Sequence, residues 1–573
     1  MKKKTPPERS PWYETPPPAG SYRALFKWGA PDEYKHPSDR LVALMRETFG
    51  LGDGDLAEPP DLGLDLIPDD RPPGLEARHL AWFEELVGEE NLGRDTYSRL
   101  ATSYGKTMID LLRLRHRIVE HLPDLVVHPR GREDVVAIVA HCHTHRIPVY
   151  VFGGGSSVTR GTECVKGGIT LDMRTHMNRV LEIGEVNQTV RCEPGIYGPA
   201  LEAIINSASR THQTAHDYTC GHFPQSFEFS CVGGWVVTRG AGQNSTSYGK
   251  IEHLVLCQEY VTPRDILRTT AHPARATGPD IDQILMGSEG AFGVLVSVTL
   301  KIFRHTPDTR QRFSFVFRSW PEALAAYREV MQSECGRPSV FRLSDPEETA
   351  VGFKLYGIEG TTIDRIMSVR GYKPQERCLL LGSADGHKRY AKLVAKNVKA
   401  VCGRHGAMNA TSYGVKMWEH GRYRDPYLRD ALGDHGILID TLECAVNWEQ
   451  LPDVHTTVGA YLKRRPGTIA MTHISHAYPQ GCNLYFIFIA RMELGEFIPF
   501  HAGLVETIIS SGAALSHHHG IGKMLAPWLP RSLGAEGMAL LKALKAHFDP
   551  HGIMNPGGTL ALDLDDGDPP PAP

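Results

Sequence analysis

Hydrophobic positions change period several times along the chain, and each change marks a region. Between about residues 20 and 122 apolar residues recur at helical spacing, in HPSDRLVALMRETFGL and in TMIDLLRLRHRIVEHL, and predict a helical N-terminal region. The proline-rich stretch EPPDLGLDLIPDDRPPG interrupts it and predicts an irregular connection. From 123 to 310 the apolar runs are short and β-type: PDLVVHP, EDVVAIVAHCHTHR and IPVYVFGGG read strand, helix, strand and glycine-rich turn. Residues 311–505 mix strands such as RFSFVFR and NLYFIFIARM with helices, and 506–560 read helix, histidine loop, helix. The ends, 1–19 and 561–573, are rich in proline and charge and are expected to lack fixed structure.

A length of 573 residues corresponds to about three to four average domains or fewer large ones. Charge is close to balance, 62 Lys+Arg against 66 Asp+Glu, which argues against a nucleic-acid partner. The 11 cysteines include no C-x-x-C pair, so neither a disulfide framework nor a structural zinc site is indicated, and a reducing setting fits. The N-terminus carries charge without an apolar signal region, no run reaches the ~18 apolar residues of a spanning helix, and no S-K-L address ends the chain. The expected location is cytoplasmic.

Glycine clusters suggest chemistry. Gly153-Gly154-Gly155-Ser156-Ser157 follows an apolar strand, where backbone N–H groups can converge on a pyrophosphate; a tight turn is the alternative. Small residues entering or leaving strands recur in SFEFSCVGGWVVTRGAGQNSTSYGKIEHLV and in MGSEGAFGVLVSVTLKI, and three such loops favour one extended ligand. None matches G-x-G-x-x-G after a first strand or the P-loop. His517-His518-His519, ahead of Gly520-Ile521-Gly522-Lys523, points to a polar site, with a solvated loop or a weak metal tract as alternatives.

PDLVVHPRGREDVVAIV, VFGGGSSVTRG, LDMRTHMNRVLEI, VRCEPG and MGSEGAFGV together resemble the flavin-binding domain of the vanillyl-alcohol oxidase / p-cresol methylhydroxylase superfamily, and FDPHGIMNPGG resembles its closing signature. The resemblance implies an α+β fold, a two-lobed FAD-binding domain over 123–310 and a cap domain over 311–505 built around an antiparallel sheet. It implies FAD, held non-covalently because no histidine occupies the usual attachment position. The cradle carried over by these motifs comprises Val151, Phe152, Gly153, Gly154, Gly155, Ser156 and Ser157; Gln225, Ser226, Phe227, Glu228, Phe229, Ser230 and Cys231; Thr238, Arg239, Gly240 and Ala241; and Ser288, Glu289, Gly290, Ala291, Phe292, Gly293, Val294 and Leu295.

Within that superfamily, CGHFPQSFEFSCVGGWVVTRGAGQNSTSYGKIEHLV, TGPDIDQILMGSEGAFGV, RPSVFRLSD, PYLRD and SHHHGIGK resemble the alkyldihydroxyacetonephosphate synthase family. That resemblance implies exchange of the acyl chain of acyl-dihydroxyacetone phosphate for a fatty alcohol, through a covalent adduct on flavin N5 and with no net redox change. It gives Tyr485 the acid/base role, His517, His518 and His519 assistance in proton handling and binding, Arg429, Arg342 and His222 the binding of the phosphate-bearing substrate, and His222 and Ser288 active-site or flavin-adjacent positions. Without it, Tyr485 reads as a cross-strand aromatic and either arginine as a surface ion pair. The competing branch is an FAD-dependent dehydrogenase or oxidase of a 2-hydroxyacid or alcohol, whose motifs G-D-G-N-L-H and E-H-G-I-G carry a metal site. Tyr485 replaces the histidine of the first and His518 the glutamate of the second, so no metal is expected. Asn483, beside Cys482, stands where some members of the synthase family have cysteine. Peripheral attachment to a membrane and a homodimer are implied as well.

Overall fold

Leu125–Val127 contains no polar side chain, as suits a strand covered on both faces, and it lies inside a four-stranded sheet. The computed structural model describes residues 12–57, 59 and 61–564. In that sheet Leu125–Val127, Ile169–Asp172 and Val149–Phe152 run parallel in this spatial order, and Leu92–Gly93 pairs antiparallel outside Leu125–Val127. The helix Arg132–His145 supplies the crossover a parallel arrangement needs, with Glu133 and Asp134 in its first turn and Arg146 closing it at φ 55°. Next comes a five-stranded antiparallel sheet, Val180–Gly184, Thr189–Cys192, Val294–Lys301, Val255–Val261 and Ile266–Arg268.

The chain leaves this half at Phe303–Arg304 and enters the cap at Gln311–Phe317. Eight strands form the cap sheet, every described pairing antiparallel, with Thr468–Ile474, Gly481–Arg491 and Ile437–Asn447 at one side. One face of that sheet buries Phe315, Phe341, Leu343, Leu380, Leu484, Phe486 and Phe488 against helices that include Trp320–Gln332, Lys388–Arg404 and Leu451–Lys463.

Several details depart from the pattern reading. The helix expected through residue 122 stops at Arg115, because Arg117 takes φ 59° and turns its guanidinium to Asp61 and Asp65 in the proline-rich connection. The 226–255 stretch reaches a strand only at Val255; before it, VGGWVV is a short helix whose Gly233 leaves room for Pro194. The proposed boundary at 505/506 falls inside the helix Leu494–Ser510. Of the ends expected to lack structure, residues 1–11 and 565–573 lie outside the described residues. Trp12, however, meets His435 edge-on at 5.1 Å, and Tyr13 lies under the Arg23 guanidinium at 4.4 Å.

Candidate active site

Three loops expected to hold a cofactor come together. A Cβ on Gly154 would sit 1.9 Å from the Phe229 carbonyl oxygen, so this approach requires glycine, and Gly153 lies against Cys231. The third loop joins them where the Glu289 N–H donates to the Val237 carbonyl at 3.0 Å. Many side chains in these loops are committed elsewhere. Gln225 donates to the Arg422 carbonyl, Phe227 stacks on Tyr423, Phe229 meets Trp28 edge-on, Glu228 accepts from Tyr427, and Arg239 binds Gln283. Ala291, Phe292, Val294 and Leu295 are core residues. These positions therefore offer a cofactor backbone rather than side chains.

Unpaired polar atoms fit the same reading. His222 is fully buried with no hydrogen bond to either ring nitrogen, and burial pushes its imidazole down to about 3. The buried Ser288 hydroxyl is likewise unpartnered. A buried group left so costs about 1–3 kcal/mol, which a ligand's polar atoms remove. Glycine cradle and orphaned groups together suit FAD.

The histidine loop is fixed from two sides. On the cap side, Glu443 of the strand Ile437–Asn447 is buried, and its carboxylate accepts from Ser516 Oγ at 2.7 Å and from the backbone N–H groups of His517, His518 and His519 at 2.7, 3.1 and 3.0 Å. On the flavin side, the Glu289 carboxylate accepts from the Ile521 and Gly522 N–H groups, each at 2.7 Å, and burial pushes its carboxyl up to about 7. Gly520 and Gly522 take φ 81° and 55°, and a Cβ on Gly522 would lie 2.0 Å from the Thr159 carbonyl oxygen, so HHHGIG needs both glycines.

Within the loop His517 Nε2 pairs with Tyr478 Oη at 2.9 Å and His517 Nδ1 lies 3.0 Å from His518 Nδ1. His476, whose Nδ1 pairs with Ser245 Oγ at 2.6 Å, stacks on His517. Burial holds His476, His517 and His518 well below the ordinary histidine range, and His519 below it, so these rings are neutral near neutral pH.

Tyr485 stands beside them. Its ring stacks on His473 at 4.9 Å and on His518 at 6.0 Å and meets His519 edge-on, while its hydroxyl donates to Thr441 Oγ1 at 3.1 Å. Burial pushes the phenol up to about 12. Arg342 is already engaged, 2.6 Å from Glu348 and 3.1 Å from His473 Nδ1. Arg429 is buried; Nη1 donates to the Lys106 carbonyl and Nη2 is 3.7 Å from Asp440, but Nε and Nη2 have no hydrogen-bond partner. Asp440, pushed up to about 6 by burial, lines a narrow cavity with Thr441, Glu443, His501 and His519.

Sequence motifs therefore brought together Tyr485 and His517–His519 but missed Glu443, His473, His476 and Tyr478. A carboxylate reaches the histidines from another strand: one ligating atom from each of Glu443, His518 and His519 lies within 4.8 Å of the others.

The FAD binding domain family matches residues 123–270, and the family of C-terminal domains of FAD linked oxidases matches 306–559. A p-cresol methylhydroxylase solved with substrate bound shares the fold, with TM-score 0.61 at 16% identity over 86% of this chain and 99% of its own. Fold and cradle define an FAD-binding protein with the fold of p-cresol methylhydroxylase. The alkyldihydroxyacetonephosphate synthase of Caenorhabditis elegans is 32% identical over 489 residues, covering 80% of this chain and 79% of that protein. A solved alkyldihydroxyacetonephosphate synthase matches with TM-score 0.72 and 27% identity over 85% of this chain and 86% of its own. The chain belongs to the alkyldihydroxyacetonephosphate synthase family.

Proposed function

We propose that the protein exchanges the acyl group of acyl-dihydroxyacetone phosphate for a long-chain alcohol, giving alkyl-dihydroxyacetone phosphate. The observation that carries this reading is the meeting of a phenol, Tyr485, with neutral imidazoles at the edge of the flavin cradle. When bound, FAD supplies at N5 a centre able to hold the dihydroxyacetone carbon covalently, which lets the exchange proceed without net oxidation. The glycine loops and His222 would hold the cofactor. Tyr485 Oη holds the proton exchanged with substrate C1, and the neutral rings of His518 and His519 accept and return protons as carboxylate leaves and alcohol enters.

The reading places no metal at this site, and the hydrogen bonds of Glu443 support that. An ionised carboxylate has about four lone-pair sites, and Glu443 already accepts from Ser516 and from three backbone N–H groups. Three of those donors converge on Oε1 and the His517 N–H alone reaches Oε2, so a divalent ion at Oε1 would have to displace donors. Two lipid substrates require the site to meet a membrane surface, and peripheral attachment is part of this reading; among the described residues no helix is long and apolar enough to cross a membrane. A homodimer is the expected assembly.

Incubating flavin-loaded protein with palmitoyl-dihydroxyacetone phosphate and labelled hexadecanol should yield labelled alkyl-dihydroxyacetone phosphate without an electron acceptor. Reduction of a dye by D-lactate, with no label transferred, would instead establish the dehydrogenase branch. The unspent nitrogens of Arg429 suit the substrate phosphate. Arg429→Lys is expected to remove about 1.5–3 kcal/mol of substrate binding, roughly 10- to 150-fold in KM, with kcat less affected. Equal losses in both constants would assign Arg429 to the reacting centre.

A further inference from the structure

Another histidine cluster lies outside this site, where the N-terminal helices meet the flavin half. The helix Arg132–His145 ends in AHCHTH, which places His141 and His145 four residues apart on one face. Cys142 between them is fully buried. From the helix Ala77–Val87, His79 joins the pair: its Nδ1 is 3.0 Å from His141 Nε2, and its ring centroid is 4.7 Å from that of His145. One ligating nitrogen from each of the three lies within 4.8 Å of the others.

We propose that His79, His141 and His145 form a site for a divalent transition-metal ion of the zinc type, with three imidazole nitrogens as ligands and a fourth position open to water. Tetrahedral zinc with Zn–N bonds of ~2.0–2.1 Å separates ligand nitrogens by about 3.3 Å, so the 3.0 Å pair is already close to that spacing and rotation of the exposed His145 closes the set. An all-imidazole donor set selects Zn²⁺, Ni²⁺ or Cu²⁺ over Mg²⁺ and Ca²⁺. Trp82 stacks on His141 at 3.8 Å with planes 10° apart, holding that ring in place as the surroundings of a ligand must. The Arg78 guanidinium beside the cluster is paired with Glu76 at 2.9 Å and both side chains are exposed to solvent. Bound metal would staple the helix Ala77–Val87 to the flavin half, coupling ion binding to stability.

The test uses untagged full-length flavoprotein, stripped with chelator and titrated with Zn²⁺ against a chromophoric competitor. One equivalent per chain is expected, together with a rise in Tm and visible tetrahedral bands when Co²⁺ replaces Zn²⁺. His145→Gln, at an exposed helix end, should weaken binding by at least about tenfold and abolish the Tm rise, whereas His518→Ala should retain both. Absence of stoichiometric binding to the wild type, undiminished binding by His145→Gln, or loss of the equivalent in His518→Ala would each overturn the proposal.

Discussion

Tyr485→Phe is expected to lower the exchange rate by about 10²–10⁴-fold while the protein keeps its flavin and its fold. The hydroxyl makes one hydrogen bond within the protein, to Thr441 Oγ1, whereas the ring is held by stacking on His473 and His518, which phenylalanine preserves. Losing one neutral hydrogen bond costs about 0.5–1.5 kcal/mol, a small change in Tm, so activity and stability should separate cleanly. Thr441→Val provides the comparison: it removes the partner and leaves the phenol, and should cost far less activity. The measurement is label transfer from hexadecanol at saturating substrate, with the flavin spectrum recorded on the same sample. A fully active Tyr485→Phe would exclude Tyr485 from proton transfer.

The parts of the site legible in the sequence are those carried by contiguous motifs. HHHGIG, the glycine triplet and the strand containing Tyr485 each announce themselves, because glycine without a Cβ and clustered imidazoles are local properties. Glu443, His473 and His476 do not, because strand register brings two of them in: Glu443 and His473 are the cross-strand neighbours of Tyr485 on its two sides. One signal was present. In ILIDTLECAVN a carboxylate sits between Leu442 and Cys444 in an otherwise apolar half-strand, a placement that is costly unless the charge is fully hydrogen-bonded. For a related reason Trp12 escaped notice: composition marks its segment as polar and proline-rich, and only the tertiary surface formed by Leu41, Met45 and Ile489 gives the indole a place to pack.

Glu443→Ala is expected to be the most damaging single change in the cap. It would strip the acceptor from the Ser516 hydroxyl and from the His517 and His518 N–H groups and leave the His519 N–H only Ser516 Oγ at 3.2 Å, and the loop is held in place by the Ala514 N–H donating to the Ala445 carbonyl at 2.9 Å. Orphaned buried donors cost about 1–3 kcal/mol each, and relaxation toward water recovers part of the sum, so a loss of roughly 3–5 kcal/mol is expected. Glu443→Gln should fall between Ala and the wild type. An amide oxygen in the Oε1 position keeps Ser516, His518 and His519, but the NH₂ then faces the His517 N–H, two donors in contact. Thermal unfolding should therefore rank wild type above Gln above Ala. Exchange should fall in the same order, since His517, His518 and His519 lose the anchor that orients their rings toward Tyr485. Amide hydrogen exchange separates the two anchors: protection at 517–519 should vanish in Glu443→Ala while that at Ile521 and Gly522, which donate to Glu289, persists. Wild-type Tm and activity in Glu443→Ala would mean that Glu289 alone fixes the loop.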